Sequence, residues 1–431
     1  MITIAHFWRL LSASLIAATL GSPGFAAVLG TNVPANPLTA ERVTGKPEWR
    51  EYLERSERQR RADQEALRAE LQTHGLKQSS EPKSTGARGL PLDKGTNWYG
   101  GLEARRIADN VVSFQTPAGG WCKNTDFTSH GRAPGEMFGA QTGSLYLSPT
   151  DFDQPQDPRW SYVGTFDNGA TITPLRFLAK VICATGNARE GWERPFLRGL
   201  DYVFTAQYPN GGWPQVWPLQ GGYHDAVTLN DNAMLNVIEL LRDVAAGGVD
   251  FAFVPAETRI KAEAPWRRGL DCLLAAQVKV AGKPMVWCQQ YDALTLAPAS
   301  ARNYEMPALS AGESAKVVLF LMQIPQPDAR VVASVHHACA WFEQTRIMGK
   351  RFASSGAEGR KLMDSPGAGP IWARYYEIGS NRPIFGDRDL SIHDDVNEVS
   401  QERRKGYAWF CDTPKRVLQH YAKWAEKHPV N

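Results

Sequence analysis

Two short stretches place acids where they could do chemistry. Asp167-Asn168 and Asp231-Asn232 each precede an apolar helical run and follow a loop rich in aromatic residues. Asp and Asn at such places accept backbone N–H bonds as helix caps. The same pair in two units, each beside a Gly/Trp loop, supports a second reading. Two carboxylates with amide oxygens make a hard-oxygen donor set suited to calcium. The EF-hand spacing is absent, so the shell would be partial and open to a ligand.

A second stretch, 382–410, reads RPIFGDRDLSIHDDVNEVSQERRKGYAWF and holds Arg382, Arg388, Arg403 and Arg404 among acids and aromatics. A surface ion-pair network would explain such a mixture. The interleaved Pro383, Ile384, Phe385, Tyr407 and Trp409 argue instead for a structured loop. Arginines held by such a loop suit bidentate recognition of carboxylates. An acidic half facing an arginine half fits an anionic sugar, and polygalacturonate is one. Lys123 and Tyr223 are further candidates for ligand contact. His224 has a loop carbonyl as an equal alternative, and Glu305 and Glu313 read as helix-start or network residues.

These side chains need elements to hold them. Ile172, Leu175, Leu178, Ala179 and Ile182 share a helical face, as do Phe196, Leu200 and Val203, and Met234, Val237, Ile238 and Leu241. Further helical patterns run over 317–321 and 331–342. QTPAGGW (115–121) and QYPNGGW (207–213) form an internal repeat, with a degenerate copy between Gln277 and Trp287. Repeated helix-loop-helix units predict a mainly α fold, a partial (α/α) toroid of helical hairpins. Stretches 115–165 and 345–410 predict an irregular second region with short strands. Loops on one face of a toroid converge, and a site belongs there.

The 431 residues suffice for a sizeable core, and 43% hydrophobic with 22% charged residues is an ordinary globular balance. A net charge of +3 and the lack of a long basic run exclude a nucleic-acid partner as an expectation. Fourteen Trp and thirteen Tyr can stack on sugars as well as fill a core. The start of the chain has Arg9, an apolar run over 10–20 and small residues near Ala26. That pattern predicts a signal peptide over 1–26, export to a secreted or periplasmic location and no membrane partner after its removal. Residues 27–97 predict a charged helix and linker, with Glu51–Arg55, Glu54–Arg58 and Glu57–Arg61 at the favourable i,i+4 spacing. The main domain is then 98–431, expected as a monomer. Six scattered cysteines permit disulfides but select no pairing.

DNGATITPLRFLAKV (167–181), NGGWPQVWPLQGGYHDAVTLNDNAM (210–234), WCQQYDALTLAPASARNYEMPALSAGES (287–314) and RPIFGDRDL with ERRKGYAWF (382–410) resemble pectate lyase family 10. The resemblance spans roughly 98–410. It implies a partial (α/α) toroid and calcium-assisted β-elimination of unesterified polygalacturonate or oligogalacturonate. Asp167, Asn168 and Asp231 then correspond to calcium ligands, and Arg302 and Arg388 to substrate-binding arginines. The catalytic arginine belongs to the ERR-x-GY block, as Arg403 or Arg404. Two positions depart from the pattern: Cys122 where Pro is expected after GGW, and Leu390 where Gly is expected after DRD. An inverting glycoside hydrolase using Asp167 and Asp231, a cyclase with Q-x-x-x-G-x-W repeats and a non-catalytic pectate-binding protein are the competing readings.

Overall fold

In the computed structural model, which describes residues 28–82, 90–140, 150–155, 157–186 and 191–429, the apolar runs become helical hairpins. The long charged helix α1 (Pro47–Thr73) and a single turn, α2 (Thr96–Tyr99), come first. Four repeat units follow in chain order. The first runs through α3 (Leu102–Ser113) and α4 (Ile172–Ala184), and the second through α5 (Glu193–Thr205) and α6 (Ala233–Ala246). The third runs through α7 (Ala256–Ala275) and α8 (Ala311–Leu321), and α4 packs on α3 and α5, α6 on α7 and α8 on α9. In the fourth, α9 (Ala329–Thr345) is separated from α11 (Thr413–Lys427) by an irregular region holding the short α10 (Gln401–Gly406). The partial toroid of the sequence reading is present, with its second region of short strands.

The repeat works through two side chains. Trp121, Trp213 and Trp287 each send the indole N–H to a carbonyl of the preceding helix: Val111 at 2.7 Å, Val203 at 2.9 Å and Leu273 at 2.7 Å. Trp372 makes the same bond to Phe342, at 2.9 Å, and marks a fourth copy that the sequence reading missed. The glutamine of each copy ties its own turn to the next hairpin. Gln115 donates to Gly119 and Pro195 carbonyls, and Gln207 to those of Gly211 and Pro265. Gln277 spans Met285 and Ser334 in the same way. Gly211 is forced: its φ is +91°, and a Cβ there would stand 2.3 Å from the Arg268 carbonyl.

α4, α6 and α8 bury residues on most of their faces, so they form the inner row. Their N-termini therefore meet at one end of the toroid. A five-stranded antiparallel sheet closes the side of that end, in the order 30–31, 391–393, 383–386, 375–376 and 309–310. It carries the chain from Tyr375 to the loop of Arg388.

α1 lies against the toroid and belongs to its core. Tyr52 donates to the Ala206 carbonyl at 2.8 Å, and Trp49 packs 5.2 Å from Tyr208. Leu67 joins Cys122, Met137, Phe138, Trp160 and Val163 in a smaller apolar cluster. The three anticipated Glu–Arg pairs form along its outer face, at 3.9, 3.7 and 2.8 Å. Part of the expected linker (83–89) and the expected signal segment (1–26) lie outside the described residues. Cysteines 122, 183, 272, 288, 339 and 411 are all free thiols, so the disulfides that the sequence permits do not form.

One acid on the inner face of α1 is costly. Asp63 is fully buried, and Gln59 donates to one oxygen at 2.7 Å while the other has no partner. Burial pushes its carboxyl up to about 6, against the lowering effect of its hydrogen bonds. The folded value exceeds the unfolded one, so the penalty is absent below about pH 4, grows between about 4 and 6 and is complete above. Asp63→Asn is expected to raise unfolding free energy by about 1–2 kcal/mol at pH 8, with the gain fading toward pH 4. Denaturant titrations at both pH values check this. A gain independent of pH would overturn the assignment.

Candidate active site

The meeting point of the inner helices is a cleft of about 420 Å³, lined by residues from Lys123 to Tyr407. Its acidic wall is built by two equivalent turns. Before α4, Asn168 and Gly169 take φ of +51° and +68°, and before α6, Asp231 and Asn232 take +50° and +59°. Two successive left-handed residues form a tight kink that Asn, Asp and Gly tolerate. The kinks align Asp167 with Asn230 and Asn168 with Asp231. The sequence comparison, which pairs Asp167 with Asp231, is therefore one residue out of structural register. The two acids nonetheless approach the cleft together, one from each position of the kink.

Asp167 is buried, and Lys123 reaches its Oδ2 at 2.6 Å while Oδ1 has no partner. Burial works to raise its pKa, but the Lys123 charge and hydrogen bond hold it below the ordinary value. Asp231 accepts from Asn230 Nδ2 at 2.9 Å. Burial first, and then the charge of Asp167, raises its pKa. The orphaned Oδ1, the second carboxylate and the amide oxygens are hard donors that fit calcium. Among the described residues no three of His, Cys, Asp and Glu gather for a metal, so the protein offers only part of a shell.

Arginines form the opposite wall. Arg302 makes a bidentate pair with buried Glu305, at 2.9 and 2.7 Å, and Tyr407 donates to the same Glu305 at 2.7 Å. Burial pushes Glu305 up, yet the Arg302 charge outweighs it and brings the carboxyl to about 2. Arg374 bonds Glu313 at 3.0 Å and the Asn230 side-chain Oδ1 at 3.1 Å, linking the walls. Arg388 meets Glu402 at 3.0 and 3.2 Å, and Arg403 meets the same glutamate at 2.5 Å. Three guanidiniums, Arg302, Arg388 and Arg403, surround the Tyr304 ring at 5.2, 5.5 and 4.4 Å.

The structure brings Lys123, Asp167, Asn168, Tyr223, Asp231, Arg302, Arg388 and Arg403 to this cleft. Arg404 turns away: it is buried and donates to the carbonyls of Val399 and Arg360, both at 2.9 Å. Glu305 and Glu313 are network residues, as expected. Sequence reasoning missed Arg374, Asp153, Tyr162 and Tyr304. Arg374 stands two residues after Trp372, so recognising the fourth repeat would have found it. Asp153 and Tyr162 lie in the irregular stretch 115–165, where no periodicity marks a face.

Both departures from the family pattern have structural consequences. Cys122 is buried, and a Cβ on Gly139 would stand 2.2 Å from the Cys122 Cβ, so the thiol sits over a glycine. Leu390 adopts φ +76°, a conformation suited to the expected glycine. Its N–H bonds the Asp387 carbonyl at 3.1 Å, and its carbonyl accepts from Asn32 at 2.8 Å, which holds the strained turn below Arg388.

Residues 115–418 match the pectic acid lyase family. Comparison with curated proteins gives no match. A solved family 10 polysaccharide lyase from Cellvibrio cellulosa is 32% identical, with a TM-score of 0.63, and the match covers 80% of this chain and 99% of that one. An aspartate-to-alanine mutant of a family 10 lyase from the same organism, in complex with trigalacturonic acid, is also 32% identical at TM-score 0.63, covering 79% of this chain and 100% of its own.

Leu390→Gly is expected to raise unfolding free energy by about 0.5–1 kcal/mol, because relief of the left-handed strain exceeds the added chain entropy. Thermal or denaturant unfolding measures it, and a loss of stability would contradict strain at this turn.

Proposed function

Because this chain belongs to the pectic acid lyase family and is a pectate lyase, we propose that it cleaves unesterified polygalacturonate by calcium-assisted β-elimination with an arginine base. The observation that carries the reading is one cleft with facing carboxylate and guanidinium walls. Trigalacturonic acid in the related lyase complex supports an oligogalacturonate ligand here.

Elimination removes the C5 proton beside a uronate carboxylate, so charge developing on that carboxylate must be stabilised. Asp167, Asn168 and Asp231 would hold calcium, which when bound supplies Lewis-acid stabilisation of that charge. Arg302 and Arg374 are the carboxylate-binding groups, each oriented by a buried glutamate before the ligand arrives. Lys123 and Tyr223 contact substrate from the acidic side.

The base is drawn from the two arginines that share Glu402. An arginine must become neutral to accept a proton, and burial among other guanidiniums favours that state. For Arg403, burial lowers the pKa but the Glu402 hydrogen bond reverses the balance and holds it above the ordinary value. Arg388 keeps longer contacts to Glu402, at 3.0 and 3.2 Å. We assign the base role to Arg388, whose contacts to Glu402 are the longer, with Arg403 beside it as the fixed cation, where the sequence reading names Arg403 or Arg404. Arg404 supports the backbone from outside the cleft.

We further propose export as a monomer. The apolar start of the chain supports export, and one chain supplies both walls of the cleft. Among the described residues no helix is long and apolar enough to cross a membrane.

Incubation with polygalacturonate is expected to give 4,5-unsaturated product, followed by ultraviolet absorbance, with activity lost to a chelator and restored by calcium. Arg388→Lys should lower kcat by roughly 10²–10⁴-fold, Arg403→Lys by less and mainly through KM, and Arg404→Lys by little. Saturated products, or full activity in both Arg388→Ala and Arg403→Ala, would sink the proposal.

A further inference from the structure

β-Elimination also breaks the C4–O4 bond, and the departing oxygen needs a proton as it leaves. Behind the acidic wall lies a cluster that the base and the metal ligands do not use. His224 is fully buried, with Nδ1 3.2 Å from the Gly221 carbonyl and Nε2 2.9 Å from the Tyr162 hydroxyl. The same Nε2 is 3.2 Å from Asp153 Oδ1. A carbonyl only accepts, so Nδ1 carries a hydrogen. Asp153 Oδ1 beside Nε2 gives a hydrogen on that nitrogen a carboxylate partner, and the relay uses that form of the ring.

Tyr162 then accepts from Nε2–H, and its own O–H is left to donate elsewhere. Its neighbour Tyr223 has its hydroxyl 3.4 Å away, and both rings line the cleft. Lys123 lies 3.5 Å over the Tyr162 ring while bonded to Asp167, which fixes the phenol on the acidic side, opposite the arginines. The backbone is also strained for this purpose: Tyr162 has φ +56°, rare for a bulky side chain, and its N–H is held by Gln220 at 2.6 Å. Lys123 is committed to Asp167. Tyr162 has His224 behind it.

We propose that Tyr162 is the general acid of the elimination, with His224 and Asp153 as the relay that resupplies it. The inference rests on the β-elimination reading. The arginine base takes the C5 proton, and the C4–O4 electron pair leaves on O4. The Tyr162 O–H bond breaks, and its proton forms the new O4–H bond. The phenolate recovers a proton from His224 Nε2, and solvent restores His224 as the arginine releases its proton. Substrate is thereby converted to one unsaturated and one saturated fragment, with no other reactant.

Tyr162→Phe keeps the ring beneath Lys123 and the His224–Asp153 pair, and a thermal unfolding scan confirms the fold. On trigalacturonate its kcat is expected to fall about 100-fold with KM within about threefold of the parent. On a galacturonate carrying 4-nitrophenol at O4, which leaves without protonation, the variant should retain kcat within about threefold. In D₂O, substrate recovered from the variant should accumulate deuterium at C5, because proton removal outpaces departure. Equal losses on both substrates, or no loss on either, would overturn the assignment. The base is tested separately: C5 exchange that survives Arg388 and Arg403 substitutions counts against the arginine reading and leaves the leaving-group contrast intact.

Discussion

Asp167, buried, and Asp231, open to solvent at the cleft, stand in each other's field, and only Asp167 is answered by a bonded ammonium. Like charges that face each other repel, so a stable arrangement needs compensating cations. The folded chain supplies Lys123 on one side and Arg374 on the other, and still leaves Asp167 Oδ1 without a partner. Much of the molecule around the site follows from this imbalance. The arginines opposite must be held in place while they wait for an anion, which is the task of Glu305, Glu313 and Glu402.

The toroid meets the need because its inner helices start at a common end. Each kink before α4 and α6 turns the chain through two left-handed residues, and the first of each pair, Asn168 and Asp231, lines the cleft. Helix N-termini also bring partial positive charge toward the same point, favourable for carboxylates. Trp-to-carbonyl bonds fix each loop to its helix, and glutamines couple one hairpin to the next. Precision in the acid wall is thus inherited from a core of buried tryptophans rather than from the loop alone. Trp213 and Trp217 are both buried, so the aromatic crowding of 210–218 is packing.

Much of this was legible in the sequence, and the gaps have physical causes. Helical periodicity and the Q-x-x-x-G-G-W repeat gave the hairpins because each unit uses the same buried bonds. The fourth copy lost its glutamine and gained the strand pair 350–354 and 360–364, so only Trp372 survives as a marker. Arg374 went unseen with it. The Asp-Asn pairing was off by one residue since sequence identity matched letters while the backbone matched dihedral angles. Arg403 and Arg404 were inseparable by motif, yet neighbours on a helix point about 100° apart. One enters the cleft, and the other supports the loop.

Glu402 decides what the arginine wall can do. A glutamate between two guanidiniums lowers the cost of bringing them together, but it also keeps them protonated. Its own carboxyl is brought to about 2, chiefly by the Arg403 hydrogen bond against a smaller upward push from burial. The stabilisation is unequal, because the Arg403 contacts are the shorter. Sharing one anion unequally makes two chemically identical side chains different: Arg403 holds Glu402 by the shorter contacts and Arg388 by the longer. A carboxylate-bearing sugar entering beside Tyr304 would meet that asymmetry already built, and the two arginines would differ by their distance to one glutamate rather than by their position in the chain.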